Sequence, residues 1–225
     1  MVVYDYDRNA ILSKPIKNRK AETMQYAFLK IHKVLKARGS KQILYIMENK
    51  CSSDLKEAMK NYEIGFQMAP PHMHRQNIAE WAIRTYKKQF LSGFLTIDPD
   101  FPISELERLL SQWAITLNLL QNSMLNPALS AYAYLFGPDD FNKSPMAPPG
   151  TRVIVHDKTG NRTSWGHHGT PGWYIGPSLN QCRCMQCYMP ATSILRITYT
   201  LQYIPKAFFS QKQPQKIIYS RPLEI

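Results

Sequence analysis

"PPHMHRQNIAEWAIRT", Pro70 to Thr85, decides how the rest of the chain is read. A Pro-Pro corner ends the strand-like run "IGFQMAPP", since proline offers no N–H to a sheet ladder. A polar stretch with His74, Arg75, Gln76 and Asn77 follows. A long helix is then expected from about Arg75 to Phe90, with Ile78, Ala82, Ile83, Tyr86 and Phe90 on one side. That helix carries one acid, Glu80, among residues that are otherwise basic or apolar, including Arg84, Lys87 and Lys88.

Upstream of it, "QILYIM" is a short apolar run of the kind expected for a buried central strand, and Glu48 and Asn49 stand at its end. Ser53 is placed to cap a short helix through Asn61, with Leu55 and Met59 inward. "MVVYDY" and "NAILSKPI" read as two strands joined by a turn around Asp7-Arg8, and Pro15 puts the second strand's end at an edge. Met24, Ala27, Phe28, Ile31, Val34 and Leu35 give helical spacing across Ala21–Arg38, with Gly39 as a C-terminal stop.

Downstream, a helix is expected from Ser104 to about Gln121. Ser104 and Glu107 form a capping box, and Leu106, Leu109, Leu110, Trp113, Leu117 and Leu120 form a buried stripe. "NPALSAYAYLFG" is a short helix ending at Gly137. Strands alternating with helices predict an α/β layer structure over residues 1–138. The texture then changes. Residues 139–150, "DDFNKSPMAPPG", contain three prolines and read as a linker. Short β-type runs, "TRVIVH", "GWYIGP" and "SILRITYT", predict a small barrel over 151–208, and 209–225 reads as a polar, basic, loose tail.

Bulk properties narrow the function. The chain has 225 residues, enough for one large domain or two small ones, and 44% of them are hydrophobic, so global disorder is not expected. No run of eighteen apolar residues is present, so no membrane partner is expected. No basic n-region with an apolar h-region opens the chain, so an intracellular protein with reduced thiols is expected. The formal net charge is +12, which suggests a polyanionic partner, usually nucleic acid.

An acid at a strand tip, Glu48, and an acid on a nearby helix, Glu80, can converge on one spot. Clustered carboxylates bind Mg²⁺ or Mn²⁺, because hard cations take oxygen ligands. Two such ions hold the attacking and leaving oxygens in phosphoryl transfer. His74, Arg75, Arg84, Lys87 and Lys88 would then meet phosphates. The alternative is that both acids are solvated surface groups.

The stretch "PPHMHRQNIAEWAIRT" resembles the "P-x-x-N-G-x-A-E-R-x-N-R-T" signature of LTR-retrotransposon integrases of the copia and gypsy kind. "YDYDRNAILSKPIKNRKAET" is similar to their "D-D-x-S-R-Y-x-W-x-x-x-L-K-x-K" hairpin, and "LYIMENKCSSDLKEAM" to their "x-x-R-x-D-N-G-x-E-F" strand and turn. "NPALSAYAYLFGPDD" resembles their "T-P-x-E-L-L-F-G" helix, and "PPGTRVIVHDKTGNRTSWGHHGTPGWYIGPS" an SH3-like segment. The resemblance runs in the family's order over roughly residues 1 to 208.

It implies a ribonuclease H-like core followed by a small SH3-like β-barrel, and a D,D-35-E carboxylate triad that inserts element cDNA into host DNA. It implies duplex DNA and a homo-oligomer as partners, Mg²⁺ or Mn²⁺ as cofactor and a nuclear location. Glu80 falls on the family's helix glutamate. Glu48 stands where an aspartate belongs, and thirty-one residues separate the two (positions 49 to 79). The first aspartate of the triad has no counterpart here, so the core is expected to be incomplete at its N-terminus and its catalysis impaired. Asp5 and Asp7 match a second, non-catalytic pair. The signature's Gly is Ile78 and its Arg after Glu is Trp81, while Asn77, Arg84 and Thr85 are kept.

Other features have plainer readings. "CRCMQC", Cys182 to Cys187, with His167 and His168 upstream, lacks the usual paired C-x-x-C arrangement of a zinc site, and unrelated thiols are favoured. Trp165, Trp173, Tyr174 and Tyr188 read as barrel core rather than a stacking platform. Lys14, Lys17, Arg19 and Lys20 read as a solvated basic edge. Two rival functions stay open: a non-catalytic protein-interaction or assembly module, and a nonfunctional remnant.

Overall fold

A computed structural model describes residues 1–40, 44–47, 53–69, 78–157, 160 and 164–204. Strands β1 (Val2–Asp5) and β2 (Ala10–Ser13) form the antiparallel hairpin expected, with Val2 opposite Ser13 and Asp5 opposite Ala10. Asn9 closes its turn at a φ of +54°, and Arg8 pairs with Asp5 at 2.9 Å. Helix α1 (Ala21–Ala37) follows. The Asn18 carboxamide oxygen accepts from the Lys20 N–H and from the Thr23 hydroxyl at its start. Gly39 ends it at a φ of +74°, where a side chain would be strained, and the Ser40 N–H reaches back to the Leu35 carbonyl.

Strand β3 (Tyr45–Met47), helix α2 (Ser53–Asn61) and strand β4 (Phe66–Met68) form a β-α-β unit in which β3 and β4 run parallel. Phe28 of α1, Leu55 and Met59 of α2, and Ile64 pack together beneath it. Helix α3 (Ile78–Phe94) comes next and continues one turn past the expected Phe90.

The hairpin is the middle layer of the helical half. Side chains alternate across a strand, so neighbours in sequence face opposite ways. Ala10 packs with Ile31, Leu35, Ala131 and Leu135, whereas Ile11 packs with Ala82, Tyr86 and Leu117.

The expected helix from Ser104 begins differently. Residues Ile103–Leu109 form a 3₁₀ segment, and helix α4 (Leu110–Leu120) continues from it. Pro102, not Ser104, takes the capping position, and no side chain caps it. Such tighter turns are frequent at helix starts. Leu109, Trp113 and Leu117 are buried as expected, but Leu120, at the helix end, is 72% exposed. Helix α5 (Ala131–Phe136) follows, capped by the Ser130 hydroxyl, which accepts from the Ala133 N–H at 3.0 Å. Gly137 ends it at a φ of +92°.

The last part is a five-stranded antiparallel sheet: β5 (Arg152–His156), β6 (Gly169–Pro177), β7 (Met185–Met189), β8 (Ile194–Thr198) and β9 (Leu201–Ile204), in the order β8-β7-β6-β5-β9. A register irregularity between Tyr174 and Gly176 bends β6. The pairings among the described residues leave β8 and β9 as the two edges. Val153, Val155, Tyr174, Met185, Cys187 and Met189 fill one face of the sheet. The other face of β6 and β7 offers Ile175 and Tyr188 to Ile97, Phe101, Leu109 and Trp113, so one apolar cluster joins the sheet to the helical half. Trp173, Tyr174 and Tyr188 thus lie in or against core, but Trp165 is fully exposed.

Residues 139–150 contain no helix or strand, yet they are pinned. The Gln112 side-chain amide donates to the Ala147 carbonyl at 2.7 Å, and the Tyr174 hydroxyl to the Pro145 carbonyl at 3.3 Å. Gly150 donates to Tyr174 and accepts from Asp98. Among the described residues, no helix is long and apolar enough to cross a membrane.

Candidate nucleic-acid interface

Helix α3 positions the charged residues. Its inward face is set by Ala82, fully buried, and Tyr86, whose hydroxyl accepts from Ser13 at 2.8 Å. Residues at i, i+4, i+7 and i+8 share a helix face, so burying 82 and 86 turns 80, 84, 87 and 88 outward together. Glu80, Arg84, Lys87 and Lys88 are all exposed. The structure therefore brings together the described members of the expected site on one solvent-facing surface. Glu48, His74, Arg75, Gln76 and Asn77 lie outside the described residues.

The helix is held firmly beneath that surface. Gly93 sits against the Trp113 indole so closely that a Cβ there would lie 2.2 Å from Nε1. Phe90 meets the same indole edge-on at a centroid distance of 4.9 Å. A cationic face on a clamped helix can hold phosphates in fixed register.

Sequence reasoning passed over the aromatic group beside this face. Trp81 meets Tyr4 edge-on at 5.9 Å, and Tyr4 meets Tyr6 edge-on at 6.4 Å. Tyr4 is fixed by donating its hydroxyl proton to the Asn9 side chain at 2.9 Å. Burial, and then the nearby Tyr6 and Asp5, push its phenol above the ordinary tyrosine range. The signal available in the sequence was the Tyr-x-Tyr spacing together with an indole where the resembled signature has Arg.

No family model matches the chain, and no curated protein matches it. Solved integrase structures are similar to it. One is the catalytic core domain of BIV integrase, 14% identical over 60% of this chain and 82% of that one, with a TM-score of 0.45. Another is a simian T-cell lymphotropic virus intasome in complex with PP2A regulatory subunit B56 gamma, 15% identical over 91% of this chain and 68% of that chain, with a TM-score of 0.48. Likenesses of this strength say what the chain is similar to, not what it does.

Glu48, the expected partner of Glu80 in a cation site, lies outside the described residues. Among the described residues no three His, Cys, Asp or Glu side chains come together. Glu80 shares its face with three cations, whereas Mg²⁺ takes several oxygen ligands in near-octahedral order. The exposed face of α3 carries three cations beside Glu80, a charge pattern that suits anionic phosphate. The thiols do not converge either. Cys182 is exposed, while Cys187 is buried inside the sheet, where desolvation pushes its thiol up to about 12 and Arg196 partly offsets the rise.

Proposed function

We propose that this chain is a nucleic-acid-binding protein derived from an LTR-retrotransposon integrase of the copia or gypsy kind, impaired in catalysis. The reading takes residues 1–138 as a ribonuclease H-like core and 151–208 as an SH3-like unit, and it places the protein in the nucleus on duplex DNA. The observation that carries it is the outward face of α3, where Arg84, Lys87 and Lys88 stand exposed on one side of a clamped helix in a chain of net charge +12. The collinear sequence motifs support the same reading. Impaired catalysis follows from Glu48 in place of aspartate, because one added methylene displaces a carboxylate by about 1 Å, more than an octahedral ion tolerates.

Duplex DNA should bind without strong sequence preference, and affinity should fall steeply between low and physiological salt as counterions are released. Arg84→Ala, Lys87→Ala and Lys88→Ala combined should flatten the log–log salt slope by up to about three, roughly 0.9 per lost contact. An unchanged slope would remove α3 from the interface. With Mg²⁺ or Mn²⁺, the chain should show no joining of a DNA end to target.

A second reading, an assembly module, is favoured by β8. This edge strand exposes Ile194 at 62%, Ile197 at 47% and Leu195 at 36%. Open apolar edges are templates for strand pairing. Size-exclusion chromatography with and without duplex DNA separates the two readings. A dimer that forms without DNA and is lost in Ile194→Lys with Ile197→Lys favours assembly.

A further inference from the structure

The α3 surface combines two chemistries. Arg84 and Lys88 offer exposed positive charge, whereas Trp81 and Tyr6 offer apolar ring surface to solvent, 39% and 59% exposed. Trp81, Arg84 and Lys88 sit at i, i+3 and i+7, so they follow one stripe of the helix, and at 1.5 Å per residue Lys88 lies about 10 Å along the axis from Trp81. Tyr4 stands between the two exposed rings, edge-on to each and held by Asn9, so the platform has a rigid centre. A duplex presents phosphates but keeps its bases stacked inside. An unpaired strand presents both phosphates and free base faces.

We infer that Trp81, with Tyr6, stacks an unpaired nucleobase of a single-stranded polynucleotide whose phosphates run along Arg84 and Lys88. The inference rests on the nucleic-acid reading above and deepens it: the cations supply attraction common to both forms of DNA, and the aromatic rings supply a preference for the unpaired form. Stacking tolerates any base, since every base has a π-face, so the preference is for strandedness and not for sequence.

The test is fluorescence anisotropy of the full chain with a labelled oligothymidine of about twenty nucleotides and with a labelled duplex of equal length, at one salt concentration. Trp81→Ala should weaken oligothymidine binding about tenfold or more and leave duplex affinity within about twofold. Trp81→Phe should recover most of the loss, because it restores a ring face. Tyr6→Ala, at an exposed turn position, provides a second variant that does not touch the helix. Trp165→Phe should change neither affinity, although Trp165 is fully exposed. The triple Ala variant at 84, 87 and 88 should weaken both forms. Equal loss for both forms in Trp81→Ala, or no loss for either, overturns the stacking inference while leaving the cationic interface standing. Binding of the unmodified chain to duplex alone, to an acidic protein alone or to anionic vesicles alone also overturns it. Binding to neither form of DNA overturns both the inference and the reading it rests on.

Discussion

Asn118 and Ile11 exchange two hydrogen bonds in the buried interior: the Ile11 N–H donates to Asn118 Oδ1, and Asn118 Nδ2 donates to the Ile11 carbonyl, each at 2.8 Å. One side chain of α4 thus satisfies both backbone groups of a strand residue, as a neighbouring strand would. This is how β2 lies against a helix without leaving its buried polar groups unpaired. Asn118→Ala should cost about 2–4 kcal/mol, since it orphans a donor and an acceptor at once. Asn118→Leu should do no better, because added apolar volume does not restore either bond. Urea unfolding followed by circular dichroism measures this, and a shift below about 0.5 kcal/mol would mean that the pair is not formed in solution.

Gly93→Ala should destabilise the protein although alanine favours helices by about 1 kcal/mol over glycine. The added methyl would fall 2.2 Å from Trp113 Nε1 and 2.5 Å from Cε2, and the indole is enclosed by Phe90, Leu109 and Ile175. Overpacking of this kind costs typically 1–3 kcal/mol, so steric strain outweighs propensity. A higher midpoint in Gly93→Ala than in the unmodified chain would show that α3 and α4 lie further apart. Loss of duplex affinity in the same variant is also expected, since the α3 cationic face depends on this clamp.

The proline-rich stretch before β5 should resist proteolysis more than its composition suggests. Its carbonyls at Ala147 and Pro145 accept from Gln112 and Tyr174, and Gly150 bonds to both Tyr174 and Asp98. A Cβ on Gly150 would also fall 2.9 Å from Ile97 at a φ of +78°. Gln112→Ala should therefore increase cleavage between residues 145 and 149 several-fold in limited digestion read by mass spectrometry, with two fragments meeting near position 147. Equal cleavage in both proteins would show that Gln112 does not hold the stretch.

Local signals made most elements legible from sequence. The hairpin, α1 with its Gly39 stop, α2 from Ser53 to Asn61 and α5 with its Gly137 stop all follow from apolar period and turn residues. The start of α4 was not legible, because Ser104 and Glu107 satisfy the capping pattern while the backbone takes a 3₁₀ path after Pro102. Leu120 continues the stripe in sequence but stands at the last helical position, beyond the partners that bury Leu117. Composition likewise marks 139–150 as a linker, and nothing local announces that Gln112, some thirty residues earlier, ties it down. For the candidate site, helical spacing sufficed to place Glu80, Arg84, Lys87 and Lys88 outward. The pairing of Trp81 with Tyr4 joins residues far apart in sequence, which no local period reports.

Alkaline pH should unfold this protein earlier than its lysines would suggest. Burial raises the phenols of Tyr45 and Tyr203 from 10.0 to about 12, with the Asp5 charge adding to the first and Cys187 to the second. Tyr86 and Tyr132 are also raised, chiefly by burial. In the unfolded chain these phenols ionise near their ordinary value. Between about pH 10 and 12 the folded state therefore holds more protons, and stability must fall as pH rises. Below pH 10 both states keep the phenols neutral, so this contribution is fully present there. Denaturant midpoints should stay flat with respect to these groups from pH 8 to about pH 10 and then fall between about pH 10 and 12, with phenolate absorbance rising together with loss of helix signal. Tyr203→Phe is the cleaner variant, because among the described residues its hydroxyl donates to the Met185 sulfur at 3.4 Å, a weak acceptor, whereas that of Tyr45 lies 3.0 Å from His32 Nδ1. Removing Tyr203's phenol should reduce the proton uptake linked to folding by up to about one proton in that window. A pH slope identical to that of the unmodified chain would mean that Tyr203 is already open to solvent beside β5.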